Sequence, residues 1–518
     1  MKTRALLMPT VFLWFLPVLA GSAWASPELA RTRLSEAKEL YRTGQFFKAA
    51  RYAFNAGEED SAIKSEAQAF VAQALVQAGL EQAASYFYLQ VIRSGNREAS
   101  RRVLLLTDRI VRSVGIEFLR PYLFKHTRAE DYSESDRPYF QYAAARSLGL
   151  RGDFQGGLSF LSELTPAKKS DVRLTAELLH LRAAYRLFTG AARPAARDFL
   201  ECAEVAKDSS DLKYRCIAGQ ARALYEAGDF SEAELVYEKV SRQSLVWTEV
   251  LFEQAWNSYR KQEYNRTLGR LVSYKSPALS FVYNPEIDTL RAQAYLALCL
   301  YEDANEGVNE FNARYVPVSE EVKKLIGRNE IKKGSDRALD LTGYYQEGKS
   351  AAQAPLSSSR PLYRLMNRFV RSAAFQDSLR SERELSVELG NIRAFSVGVS
   401  NADPQTGTFG DFLAKVLNFR LKAIREMGGA FVRNSLLDYH DQLIAQFEKM
   451  AFIKLEMLSR FKEKLMTRNS PDSQQLRSRG NVQPIRRGDQ YFWSFNGEFW
   501  NDELGDYVFG LESECDGK

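Results

Sequence analysis

Histidine is nearly missing from this chain: His126, His180 and His440 are the only three in 518 residues. They stand far apart, without neighbours at metal-ligand spacing, which argues against an imidazole-based metal or acid–base site. Cysteine is scarce as well. Cys202, Cys216, Cys299 and Cys515 are separated by 14, 83 and 216 residues, and none of these gaps is a zinc-site spacing. A phosphate-cradling glycine loop, a nucleophile elbow and a zinc-protease helix are all lacking. No cofactor, no metal and no catalytic residues are therefore expected. Beyond the N-terminus no run approaches about 18 consecutive apolar residues, so no membrane span is expected in the mature chain. Nucleic-acid recognition motifs are lacking too, so no nucleic-acid partner is expected.

The N-terminus has a pattern of its own. Lys2 and Arg4 precede the apolar run "ALLMPTVFLWFLPVLA", and Ala23 and Ala25 satisfy the small-x-small rule of signal peptidase. Residues 1–25 read as a signal peptide, and the mature protein as periplasmic or secreted. Four cysteines in an oxidising compartment permit two disulfides, in three connectivities. The formal charge of +6 hides an asymmetry. Residues 26–318 are near neutral, 319–488 carry 29 basic against 19 acidic side chains, and 489–518 carry one against eight. This split invites two readings: the tail folds back on the basic region, or each seeks its own partner.

Self-similarity organises the first three hundred residues. In "ALYEAGDFSEAELVYEKV", Gly228, Asp229 and Phe230 form a turn, Ala233 allows close helix approach and Tyr237 fills the space one turn on. Turn glycines recur at Gly44, Gly79, Gly115, Gly152, Gly190 and Gly228, spaced by 35, 36, 37, 38 and 38 residues. Tyr264 and Tyr301 continue the series without glycine, 34 residues after Phe230 and then another 37. The match is poorest at Gly115, where Arg120 replaces the alanine and Pro121 follows. This pattern resembles the tetratricopeptide repeat (TPR), which implies about eight helix pairs over 26–318 in a right-handed α-solenoid. The class expected is all-α.

Residues 319–468 read as a helical extension, interrupted by "AAQAPLSSSRP" and by a loop over 397–408. From Phe409 to Met466 apolar residues recur at three-and-four spacing, with a kink or break expected at Gly428-Gly429. Residues 469–488 read as a flexible linker. The acidic tail, 489–518, holds "YFWSFNGEFW", where Asn496-Gly497 predicts a two-residue β-hairpin. An isolated hairpin is marginal in water, so Trp493, Phe495, Phe499, Trp500 and Tyr507 are expected to dock on the body as a flap. The competing reading is a recognition strand for a partner. By repeat register Cys202 and Cys216 come within disulfide range. That leaves Cys299 for Cys515, a bond that pins the tail to the eighth turn. The pairing of "YNPEIDTLRAQAYLALCLYEDANEGVNEFNARY" with "GEFWNDELGDYVFGLESEC" resembles secreted TPR proteins of predatory and gliding bacteria, which implies gliding motility or envelope assembly.

The first helix of each TPR pair lines the groove, which points Arg222, Tyr225, Phe252, Trp256, Tyr259 and Arg260 inward. Aromatics beside arginines compose protein-interaction hot spots. The function expected is an exported, non-catalytic scaffold holding an envelope protein or peptide. Binding of a cell-wall polymer such as peptidoglycan is one alternative. A hydrolase using tail carboxylates such as Glu498 and Asp502 is another, although glycoside chemistry needs two carboxylates facing across a cleft.

Overall fold

The computed structural model describes residues 27–115, 130, 137–149, 151–162, 172–207, 210–244, 246–333, 336–356, 358–397, 406–467, 493–495 and 497–515. The expected signal peptide and the 469–488 linker lie outside the described residues. Twenty α-helices, two 3-10 turns (Ser273–Lys275 and Pro277–Leu279) and two short two-stranded sheets are among the described elements. The chain divides into two compact units, 1–191 with 380–423, and 192–379 with 424–518.

In the first unit, helix pairs α1 (Pro27–Arg42) with α2 (Phe46–Glu59) and α3 (Lys64–Gln77) with α4 (Glu81–Ser94) meet at Gly44 and Gly79. The third turn is irregular. Two short helices, α5 (Arg97–Leu104) and α6 (Thr107–Val114), lead to Gly115, and the residues after it lie outside the description. Pair α7 (Arg137–Gly149) with α8 (Phe154–Leu161) turns at Gly152, and α9 (Val172–Phe188) ends at Gly190.

The second unit continues with α10 (Ala192–Val205), then α11 (Ser210–Glu226) with α12 (Phe230–Tyr237), and α13 (Trp247–Arg260) with α14 (Tyr264–Val272). The last pair is α15 (Pro285–Ala297) with α16 (Tyr301–Asn329), which runs unbroken past residue 318 with Pro317 inside it.

One backbone device makes these turns. The six turn glycines Gly44, Gly79, Gly115, Gly152, Gly190 and Gly228 have φ between 72° and 92°, and Gly95, at the end of α4, shares that conformation at 72°. Where glycine runs out, Gln262 (φ 63°) and Cys299 (φ 59°) take the same left-handed conformation. In seven turns the next N–H reaches back to the carbonyl five residues earlier: Gln45 to Leu40, Leu80 to Leu75, Asp153 to Leu148, Ala191 to Arg186, Asp229 to Leu224, Glu263 to Ser258 and Leu300 to Tyr295, at 2.8–3.0 Å. This is the six-to-one bond of a Schellman motif, which satisfies carbonyls the helix end leaves open. Small and large residues then interlock. Ala83 and Ala233 are fully buried, with Phe87 and Tyr237 one turn on. Tyr185 lies where Gly149 and Gly157 leave room, and its hydroxyl donates to the Ala145 carbonyl at 3.1 Å.

The helical extension differs from expectation in two places. β1 (Glu330–Lys333) and β2 (Asp336–Leu339) form an antiparallel pair inside a stretch read as helical. Only Gly334 and Ser335 separate the strands, which is hairpin-length spacing. The helices α17 (Leu341–Gln353), α18 (Pro361–Val370) and α19 (Ala373–Val397) follow. Helix α20 (Thr406–Thr467) then runs 62 residues straight through Gly428 and Gly429, where a break was expected. The glycines serve approach instead. A Cβ on Gly429 would stand 1.8 Å from the Leu341 carbonyl oxygen, and one on Gly428 2.6 Å from the Tyr345 ring. Tyr344, Tyr345, Phe375, Val432 and Leu436 are buried together there.

Candidate interaction face and the seated tail

The six side chains proposed for the groove fall into three groups. Arg222 on α11 is clamped by α13: its Nη2 lies 2.7 Å from Glu253 and 3.4 Å from Glu249. Burial opposes its charge, but the two carboxylates outweigh that and hold the guanidinium above its usual range. Arg260, exposed at the end of α13, lies over Phe230 at 5.1 Å and Tyr225 at 5.9 Å, and those two rings meet edge-on at 5.3 Å. Burial raises the Tyr225 hydroxyl's pKa against the pull of Arg260. Phe252, Trp256 and Tyr259 are half-buried, packed on the Leu251, Leu271, Ile287 and Leu290 core rather than standing clear of it. Trp256 meets Tyr259 edge-on at 5.6 Å.

Beneath this face lies a feature that sequence reasoning missed. Glu234 on α12, 1% exposed, meets Lys261 at 2.7 Å, Arg266 at 2.9 Å and Arg270 at 3.0 Å. Arg270 also donates to the Gln254 carbonyl at 2.8 Å and to the Ser258 hydroxyl. The spacing of Arg266 and Arg270, one helical turn apart on an otherwise apolar helix face, was the available signal. In the first unit Glu388 of α19 has a comparable role. Its carboxylate accepts from the backbone N–H groups of Gln82 (2.7 Å) and Ala83 (3.0 Å), satisfying the uncapped start of α4. Among the described residues no cluster of three metal-ligating side chains occurs.

Both disulfides are present. Cys202 on α10 bonds Cys216 on α11 with α-carbons 5.8 Å apart, and Cys299 bonds Cys515 with α-carbons 5.1 Å apart. The tail is laid on α13–α15. Tyr507, Leu504 and Leu511 are buried, and Phe495, Phe499 and Phe509 pack on the core under α14. Trp500 stays 57% exposed, and of Trp493 only the backbone is described. The expected hairpin at Asn496-Gly497 is not formed. Strand β3 (Trp493–Ser494) pairs in parallel with β4 (Tyr507–Val508), thirteen-odd residues on. The cause is aromatic packing, because Phe495 contacts Phe499, Tyr507 and Phe509 with centroids 5.1–5.7 Å apart. That cluster draws the chain into a loop in place of a tight turn.

Two residues of α14 shape the seat. Gly269 leaves room for the tail backbone, since a Cβ there would stand 1.7 Å from the Tyr507 carbonyl oxygen. Asn265 treats Leu511 as a strand would: its amide accepts from the Leu511 N–H at 3.0 Å and donates to the Leu511 carbonyl at 2.9 Å. Arg242 binds the Asp502 carbonyl and the Asp506 carboxylate. Glu498 and Asp502 are exposed.

No family model and no curated protein matches the chain. Among solved structures it is similar to the crystal structure of the P58(IPK) TPR domain, with 13% identity, 76% of this chain and 99% of that chain covered, and a TM-score of 0.18. That score carries no weight; the repeated reach-back bond and the small-then-large interlock decide the assignment. The helix array is TPR-like. No helix among the described residues is long and apolar enough to cross a membrane.

Proposed function

We propose that this TPR-like chain is an exported, non-catalytic scaffold that holds a protein or peptide partner in the bacterial envelope, within motility or assembly machinery. The observation that carries the reading is Arg260, an exposed guanidinium laid across two aromatic rings of the neighbouring pair. Arginine on aromatics is a common interface anchor, pre-ordered at little entropic cost. Two disulfides support an oxidising compartment. Arg222 is tied to Glu253 and serves the order of that face, while Phe252, Trp256 and Tyr259 provide its half-buried floor.

The test is crosslinking and pull-down from envelope fractions with the wild type, Arg260→Ala and Tyr225→Ala. A partner band lost in both variants, with helical content unchanged, is expected. A band retained in both would sink this face as the binding site. Recovery with purified peptidoglycan in place of any protein would favour the polymer reading.

A further inference from the structure

Three arginines of the second unit converge on buried tyrosines. Arg314 of α16 lies over the rings of Tyr283 and Tyr315, 5.5 Å from each centroid. Arg368 of α18 lies over Tyr439 of α20 at 5.4 Å, and Arg364 stands one turn before it on the same side of α18. The three rings belong to one core. Burial raises the pKa of the Tyr283 and Tyr439 hydroxyls, and guanidiniums pull it back: Arg314 and Arg364 at Tyr283, Arg368 and Arg314 at Tyr439. The two phenols share the field of all three arginines.

Positive charge is in surplus here. Asp288 of α15, a carboxylate that both hydroxyls sense, already accepts from the Tyr315 hydroxyl at 2.9 Å and faces Arg291 at 3.3 Å and Arg314 at 3.6 Å. Arg291 has Glu310 as its second partner. Among the described residues Arg364 and Arg368 form no ion pair. The three arginines less Asp288 leave a net +2. Donors are in surplus too. Arg364 Nε is buried without an acceptor, and the Tyr439 hydroxyl, on a residue 5% exposed, has none for its proton.

Stacking on a ring offsets some of a guanidinium's charge, but leaves its in-plane N–H groups to find acceptors. Water would satisfy those donors and leave the charge unbalanced. A single carboxylate would balance half of it. A phosphate dianion carries about −1.5 to −2 at neutral pH and presents three acceptor oxygens, which suit forked guanidiniums. Arg314 and Arg368 are exposed, so solvent reaches the cluster from their side. We propose that Arg314, Arg364, Arg368 and the Tyr439 hydroxyl form a binding site for a phosphate dianion, free or as a phosphomonoester.

The experiment is isothermal titration calorimetry of the full chain with inorganic phosphate, glycerol 1-phosphate and acetate, at neutral pH and constant ionic strength. Saturable binding of one phosphate or one ester per chain is expected, with acetate weaker by about tenfold or more. A tighter ester assigns the site to phosphorylated small molecules, and tighter inorganic phosphate assigns it to the free ion. Arg368→Met and Tyr439→Phe should each weaken phosphate by about tenfold or more, as the loss of a charge-assisted contact does. Arg364→Met separates binding from stability. It should abolish the rise in melting temperature that phosphate causes, yet melt no lower than the wild type without phosphate, because it removes an uncompensated charge. Should that variant fail to fold, the exposed Arg368 still carries the test. The proposal is overturned by no saturable binding, or by acetate binding as tightly as phosphate, which would mean an adventitious ion only. It is also overturned if Arg368→Met and Tyr439→Phe titrate like the wild type, or if Arg364→Met melts well below it without phosphate. None of these readouts involves Arg260, so this site and the partner face stand or fall separately.

Discussion

Two buried glutamates show how opposite surroundings give opposite pH dependence. Burial works against the Glu234 carboxylate, but Arg270, Lys261 and Arg266 outweigh it and hold its pKa down at about 2. A lowered pKa gives stability that is complete above the ordinary value of 4.5 and is lost as pH falls through about 2. Removing this charge leaves Arg270 buried without its counter-ion, so Glu234→Gln should cost about 3–5 kcal/mol in urea unfolding at neutral pH. A loss within error of zero would show that the cations find other partners. Glu388 is the converse. Burial pushes its pKa up to about 7, against the pull of the Gln82 and Ala83 N–H groups. Its contribution is complete below 4.5 and is lost as pH rises through about 7. Glu388→Gln should therefore gain on the wild type by up to about 3 kcal/mol as pH passes from acid to mildly alkaline. Parallel pH profiles for the two proteins would refute that account.

At the scale of the element, what could be read in the sequence was whatever the backbone needs a special residue to do. A left-handed turn calls for glycine, so Gly44 through Gly228 announced the repeats. Gln262 and Cys299 perform the same turn with no chemical mark and were locatable only by their distance from Gly228. Glycine is ambiguous in a helix, and Gly428-Gly429 read as a break because nothing in one segment says which other segment lies against it. The parallel pairing of β3 and β4 was illegible for a similar reason: Phe495 chose Tyr507 and Phe509 across a loop over a local turn. The close-approach account of α20 makes a measurable claim. Gly429→Ala places a methyl into the Leu341 carbonyl, and should destabilise by about 1–3 kcal/mol in chemical unfolding. If alanine's better helix propensity makes the variant more stable, α17 does not press on α20 there.

For the molecule as a whole, the covalent closures differ in reach and exposure. Cys202–Cys216 joins neighbouring helices across 14 residues with both cysteines fully buried. Cys299–Cys515 closes a loop of 216 residues, and its Cys515 end is exposed. In the chain-entropy picture the longer closure disfavours the unfolded chain by up to about 5 kcal/mol. Disulfide exchange requires a thiolate to reach a sulfur, so a dithiol reductant should open Cys299–Cys515 first, passing two electrons and two protons to it. The non-covalent seat should then hold the tail with more frequent opening, because Asn265, the Gly269 clearance and buried Tyr507 remain. Alkylation followed by mass spectrometry should label Cys299 and Cys515 under mild reduction while Cys202 and Cys216 stay unlabelled until unfolding. Amide exchange at Phe509 and Leu511, whose N–H groups bond the Asn265 carbonyl and side chain, should quicken in that half-reduced protein while the α14 interior stays protected. Simultaneous labelling of all four cysteines would mean that the tail bond breaks only with the fold.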